Sequence, residues 1–324
     1  MRKLFLLLLI VNTLESGYSQ TIKGFVMDNS DNSKISYASI YINGTCVGTN
    51  SDKDGYFELN ITKYNTLPLT ISALGYYSTT LTDIATDKII KVYLTQKTFE
   101  LKEVVVETKS HEKERKTNLK LFRSQFLGLS TNGRKCVILN ENDIKFVTSA
   151  NSLKAFASKP IIILNYGLGY KITYYMDSFE FNQESGFFSY KGAAIFDENL
   201  LTGLSQKSLF EKRRKNAYLG SMFHFYRSLW ANSLESNGFS IRNSEGEKIN
   251  YENLVTMGLD SKKYIIYKGR LYISYLSEPA DSYIEFIKDK VFFDRVGYFD
   301  GSGVKIIGQM ATPRIGDLLP YDYK

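Results

Sequence analysis

The chain has 324 residues, 43% of them hydrophobic and 23% charged, and a formal net charge of +7. That apolar content builds packed cores and excludes a disordered polymer, and the length predicts two folded domains, not one. With 24 tyrosines, 21 phenylalanines, five prolines and two cysteines, the composition favours β-structure and excludes a disulfide framework.

The chain opens MRKLFLLLLI, with Arg2 and Lys3 ahead of an apolar run from Leu4 to Val11. That run is far shorter than the roughly 20 residues that span a bilayer. Small residues follow at Gly17 and Ser19, so 1–20 predicts a cleavable secretory signal, cut after Ser19 or Gln20. The alternative is a short buried helix or strand. No cysteine follows the apolar run, which excludes a lipoprotein attachment site, and no later run reaches membrane length. The mature protein is expected to be soluble, in the periplasm or on the inner face of the outer membrane. The remaining basic excess is mild and spread out. It suits an anionic surface polymer or lipid, and an exported chain excludes nucleic acid as a partner.

From 22 to 95 the pattern predicts an antiparallel β-sandwich. Strands are expected at 23–28, 38–43, 56–61, 69–73, 76–81 and 89–94, separated by Asn, Asp and Gly. Residues 48–54 read as a loop and Gly75 as a turn. Asn50, Asp52, Asp54 and Gly55 match the start of an EF-hand calcium loop. The twelfth position is Ile61, which offers no carboxylate, and a strand follows instead of a helix. The favoured reading is a turn made by Asp54 and Gly55, with Gly55 at positive φ. Cys46 and Cys136 fall in different predicted domains and are expected as two separate buried thiols, with a bridge between them as the alternative.

The order KGFV, YASI, GT, GTNSD, DGYF and SALGY resembles the carboxypeptidase-like regulatory domain. The resemblance implies a seven-stranded, transthyretin-like sandwich of the kind that precedes TonB-dependent receptors in Bacteroidetes. It implies no peptidase activity, because this domain accompanies such enzymes and is not the catalytic part. LKEVVV at 101–106 resembles the strand that follows this domain in the receptors. The residues beyond it are too few for a receptor barrel. Val104 to Val106 is expected as a last strand on the first domain, whose span is set at 21–107.

Residues 108–120 read as a charged connector or a helix start, and 121–128 has apolar residues at helical intervals. The remainder, 121–324, is expected to be one α+β domain. Strands are predicted at 136–139, 161–164, 170–181, 187–196, 264–267, 271–276, 283–287 and 304–307. Between them, 205–237 reads as one long helix, with Leu219, Phe223, Tyr226, Trp230 and Leu234 on one face and Gly238 as its stop. Trp230 is therefore expected in the core. LNYGLGYKITYYMDSFEF, SYKGAAIF, RRKNAYLGSMFHFYRSL and RIGDLLPYDY resemble the second half of exported Bacteroidetes proteins with the same regulatory domain, a resemblance that implies no reaction.

Chemistry is sparsely marked. His111 and His224 are the only histidines, and His111 with Glu114 forms a His-x-x-Glu pair inside the charged connector, a poorly preorganised place for zinc. There is no nucleophile elbow, and nothing local pairs Cys136 with His224. Asp177, Glu180, Asp197 and Glu198 flank aromatic strands. They read as solvent-facing acids, with a glycosidase or sugar-binding role as the alternative. The sharpest patch is Lys212, Arg213, Arg214 and Lys215, with Arg227 beyond it. Arg213, Arg214 and Arg227 are candidate anion contacts for a ligand or for buried carboxylates, the structural role being favoured. No catalytic, cofactor or metal residue is assigned. The reading is a non-catalytic exported binding or scaffold protein. Its expected partner is an envelope protein or a surface glycan, without a membrane span. The alternative is a carbohydrate-binding or carbohydrate-active protein.

Overall fold

The structure is a computed structural model that describes residues 20–82, 84, 87–97, 109–149, 151–198, 200, 204–258, 262–276 and 282–324. The expected leader up to residue 19, the expected strand at 104–106 and the side chain of His111 lie outside the described residues.

The fold is mainly β. Its first unit holds β1 (Thr21–Asp28), β2 (Ser39–Ile42), β3 (Gly48–Asn50), β4 (Tyr56–Asn60), β5 (Leu69–Ser72), β6 (Thr79–Leu81) and β7 (Ile89–Leu94). They form two facing sheets, ordered β4-β1-β7 and β3-β2-β5-β6. Strand alternation sends Ile22 and Val26, Phe57 and Leu59, Ile40 and Ile42, and Val92 and Leu94 into one core. This is the expected sandwich with two departures. Residues 48–50, read as loop, form the edge strand β3. And β7 runs parallel to β1, Val26 opposite Val92, so that sheet is mixed. The intervening strands carry the chain around the sandwich, which is the long crossover a parallel pair requires.

The turn before β4 follows from its side chains. The Asp52 carboxylate accepts the Asp54 and Tyr56 amides at 2.8 and 2.9 Å, and Gly55 has φ +73°. A Cβ on Gly55 would stand 2.9 Å from the Val26 carbonyl oxygen. Gly55→Val is expected to cost about 1–3 kcal/mol, from a β-branched residue at positive φ. An unchanged urea midpoint would contradict this.

Asp28 closes the sandwich. Its carboxylate accepts the Ser30 hydroxyl and amide at 2.6 and 2.7 Å, and Gln96 Nε2 and Tyr76 Oη at 2.7 Å each. These bonds, Ser30's foremost, hold its pKa well below the usual carboxylate range. A depressed folded pKa stabilises the fold above the unfolded value and loses that effect as pH falls through the folded one. Asp28→Asn should therefore be less stable than wild type at pH 7. The gap should close as pH drops below about 3.8, read from urea midpoints across an acid series.

The second layer begins with α1 (Lys109–Phe126). Connector and helix start are one continuous helix. An i,i+4 pair of Glu112 and Lys116 at 2.7 Å supports its charged half, and its apolar end buries Phe122 and Phe126 completely. These rings lie on a six-stranded sheet of β8 (Cys136–Ile138), β9 (Ile144–Ser149), β10 (Ser152–Ala157), β11 (Ile161–Asn165), β12 (Tyr170–Asn182) and β13 (Phe188–Asp197). The strand β12 is the spine. It pairs with β13 along one edge and with β11 and then β10 along the other.

The expected long helix is two helices, α2 (Leu204–Tyr218) and α3 (Met222–Trp230). Gly220 sits at φ +75°, and Ser221 caps α3 by accepting the His224 amide at 3.2 Å. A glycine in the left-handed region ends one helix and a serine N-cap starts the next. The break rotates the expected stripe. Phe225, Tyr226 and Leu229 are fully buried, whereas Leu219 is exposed and Trp230 is half-buried, edge-on to Phe293 at 5.9 Å. Helix α3 packs on β14 (Phe239–Arg242), β17 (Arg270–Tyr275), β18 (Ser282–Phe286) and β20 (Val304–Gly308), which form one antiparallel sheet. A smaller sheet of β15 (Val255–Met257), β16 (Lys263–Ile265) and β19 (Val291–Phe293) completes that core, with the short α4 (Tyr251–Leu254) before it.

The sandwich is joined to the rest by main chain. The Gly44 amide donates to the Ala194 carbonyl at 2.7 Å, and the Phe196 amide donates to the Thr45 carbonyl at 2.9 Å. Thr45 thus lies parallel to Ile195 on the outer edge of β13. From the other side the Tyr321 amide donates to the Gly44 carbonyl at 2.7 Å. Tyr41 stacks on Tyr175 at 5.1 Å, and Thr66 donates to the Asp294 carboxylate at 2.6 Å. Among the described residues no helix is long and apolar enough to cross a membrane.

Candidate functional site

The segment from Asn43 to Gly48 stands between two clefts. The first, about 1060 Å³, is the more polar of the two. Cys46 and Gly48 of the sandwich, Lys171, Thr173 and Asp197 of the central sheet, Lys207, Glu211 and Arg214 of α2, and Asp322 near the C-terminal end line it. The second, about 840 Å³, is rich in rings, with Tyr174, Tyr190, Phe223, Phe299 and Tyr321 on its walls and Arg314 at its side.

Arg214 is fixed by the turn between β11 and β12. Asn165, fully buried, accepts the Gly167 and Leu168 amides at 3.0 and 2.9 Å, shaping that turn. Its carbonyls then face α2. Arg214 Nε donates to the Leu168 oxygen at 2.8 Å, Nη2 donates to that of Gly169 at 3.4 Å, and Nη1 donates to Glu198 Oε1 at 2.8 Å. The guanidinium also lies 3.9 Å from the centre of the Tyr170 ring. With 7% exposure and its fork occupied, Arg214 holds α2 against the sheet. Arg214→Ala should cost about 1.5–3 kcal/mol, the range for hydrogen bonds to a charged group. Arg214→Lys should recover little, because an ammonium lacks the planar fork. Urea denaturation of both variants reads the difference.

Arg213 lies nearby with only long contacts to the Tyr166 and Gly167 carbonyls, 3.5 and 3.4 Å. Arg227 has other partners. Its Nε and Nη2 donate to the Val296 and Tyr321 carbonyls at 3.1 and 3.0 Å, and its guanidinium lies 4.0 Å from the Phe223 ring centre. Of the three arginines only Arg214 lines a described cleft. Asp197 and Glu198 line the polar cleft with it. Glu180 is taken up by Ser152 at 3.3 Å and Lys154 at 3.8 Å. Asp177 sits apart at the bulge in β12, where desolvation raises its pKa. Asp54 and Gly55 stay at their turn on the sandwich.

His224 is buried between Tyr218 and Phe239, ring centres 4.7 and 4.9 Å away, and its Nδ1 accepts the Gly220 amide at 3.2 Å. Desolvation lowers its pKa, which keeps it neutral, with one ring nitrogen engaged in the helix break. Both cysteines are free. Burial pushes Cys136 up to about 12 and Cys46 higher still, so neither supplies a thiolate at neutral pH. Sequence reasoning missed the ring-lined cleft, because its walls come from the sandwich at Asn43 and Gly44, from β12, β13 and α3, from 297–302 and from the last fifteen residues. The one local signal is the density of aromatic residues between Tyr170 and Phe196.

The comparisons place the first unit. Residues 22–106 match the CarboxypepD_reg-like domain. The sandwich is thus a domain of that family, as its motifs implied. No curated protein matches the chain. A solved structure from Bacteroides fragilis, a protein of unknown function provisionally described as membrane-associated, is 15% identical. It covers 48% of this chain and 64% of its own, with a TM-score of 0.19. The chain thus spans under two thirds of that protein, and the likeness is too small to carry over its arrangement.

Proposed function

We propose that the protein is a non-catalytic, exported binding or scaffold protein of the periplasm or the inner face of the outer membrane. Its CarboxypepD_reg-like domain serves as a fixed interaction module. The observation that carries this reading is the placement of 43–48, which makes the domain a wall of both clefts. A domain pinned by main-chain hydrogen bonds shapes a binding surface instead of swinging on a tether. The groups that elsewhere supply bases and nucleophiles, His224 and the two thiols, are occupied or held uncharged by burial. The basic opening residues and apolar run support export.

A second reading, carbohydrate binding, rests on Asp197 and Glu198 in the polar cleft beside Tyr170. Capture on the immobilised mature protein from envelope extract separates the two. A protein partner is expected, so protease treatment of the extract should abolish retention and periodate oxidation should not. The reverse pattern would transfer the assignment to glycans.

A further inference from the structure

The ring-lined cleft opens along the outer edge of the central sheet. At Phe188–Gly192, β13 pairs with β12 and with no other strand among the described residues. Tyr174 starts on β12 and crosses β13 to reach this edge. Its path runs over Gly192, where a Cβ would stand 2.7 Å from both Cζ and Oη of Tyr174. Neighbouring strands lie about 4.8 Å apart, so a tyrosine crosses the next strand only where no side chain stands in the way. Glycine at 192 leaves that path open and brings the hydroxyl to the cleft, which both residues line.

That hydroxyl is unpaired. Three buried side-chain polar atoms lack a hydrogen-bond partner among the described residues, and of these only Tyr174 Oη belongs to the wall of a described cleft. Tyr174 is 3% exposed, and burial pushes its pKa well above the ordinary phenol value. It keeps its proton and can donate it, and a buried donor costs stability until something accepts. The charges on the same wall are answered within the chain. Asp300 accepts from Lys288 at 2.9 Å, and Asp317 accepts from Ser130 and Asn132 at 2.8 and 3.0 Å. Arg314 donates to the carbonyls of 311–313 and covers the Phe188 ring at 4.2 Å. Lys191 stands on the opposite face of β13, toward Asp177. A charged ligand would find no counterion here. A sugar would bring several hydroxyls to carboxylates already taken, and buried unpaired hydroxyls are costly.

We propose that the ring-lined cleft is a binding site for a small, uncharged aromatic molecule that carries one hydrogen-bonding oxygen. The oxygen accepts from Tyr174 Oη. The rings of Tyr190, Phe223 and Tyr321 pack against the molecule's faces and edges, as Phe223 and Tyr321 already pack edge to face with centres 5.5 Å apart. At about 840 Å³ the cleft falls within the range of small-molecule sites, about 300–1,000 Å³, and has their mainly apolar lining with few polar groups. Such a site goes beyond the scaffold role and does not depend on a protein partner.

The probes are 2-naphthol, naphthalene, 2-naphthoate and maltotriose, each titrated by calorimetry into the mature full-length protein. 2-Naphthol should bind saturably at one site, about fivefold more tightly than naphthalene, which is the worth of one hydrogen bond. Tyr174→Phe should remove that advantage and leave the naphthalene affinity unchanged. Its urea midpoint should be no lower than that of wild type, because the hydroxyl it loses is unpaired. 2-Naphthoate and maltotriose should not compete with 2-naphthol. Absence of saturable 2-naphthol binding, an advantage that survives in Tyr174→Phe, or a lowered midpoint of that variant would overturn the proposal, the last because the hydroxyl already has a partner. Competition by 2-naphthoate or by maltotriose would overturn the uncharged aromatic class. Failure of all four probes, with a protease-sensitive partner still retained from envelope extract, would remove this site and leave the scaffold reading standing.

Discussion

Phe126→Ala is expected to cost about 3–5 kcal/mol, the range for removing a large aromatic side chain from a core. Phe126 is fully buried at the end of α1. It stacks on Phe122 at 4.8 Å and meets the edges of Tyr174, Phe179 and Tyr190 at 5.1, 6.3 and 5.9 Å. No other ring joins the helix to both β12 and β13 in this way among the described residues. Its loss also frees Tyr174 and Tyr190, so the ring-lined cleft should loosen together with the core. Thermal and urea denaturation measure the cost. A loss below 1 kcal/mol would mean that the helix does not hold the sheet.

Gly316→Ala is expected to be nearly as damaging, through backbone instead of ring contacts. A Cβ there would stand 2.4 Å from Gly133 Cα and 2.5 Å from the Leu127 carbonyl oxygen. Three stretches of main chain meet at this point: the end of α1, the turn at Gly133 and the C-terminal segment. The Gly316 amide donates to the Leu127 oxygen at 3.0 Å, and its carbonyl accepts Asn165 Nδ2 at 2.9 Å. Backbone cannot step aside as a side chain can, so the added methyl should cost about 3 kcal/mol, the upper end for overpacking. The expected readout is a lowered Tm with faster exchange of the Leu168 amide, which Asn165 holds. A variant as stable as wild type would contradict this close approach.

These two sites mark where sequence reading stops. Strands such as Tyr170–Asn182 and Ile161–Asn165 were legible because alternation and apolar runs are local signals. The β9–β10 hairpin escaped notice. Its outward Val147 and Phe156 break a clean apolar–polar alternation. The helix break was visible in principle at Gly220 and Ser221, a glycine stop beside a serine cap, but the apolar spacing read across it. The destinations of the arginines were not legible at all. Arg214 is adjacent to Arg213 in sequence, yet only Arg214 meets the carbonyl fork of the turn at Leu168 and Gly169, a geometry that exists only once β11, β12 and α2 have packed. The same holds for the strand edge at Phe188–Gly192, because whether a strand has a second neighbour is a property of topology.

Binding without chemistry is tested most directly by the fate of what binds. Envelope extract is incubated for a prolonged period with the immobilised mature protein, and retained and unretained fractions are compared by mass spectrometry. The account predicts a stoichiometric partner, retained and eluted at its original mass. Progressive accumulation of shortened peptides or glycans, scaling with time and protein amount, would contradict it.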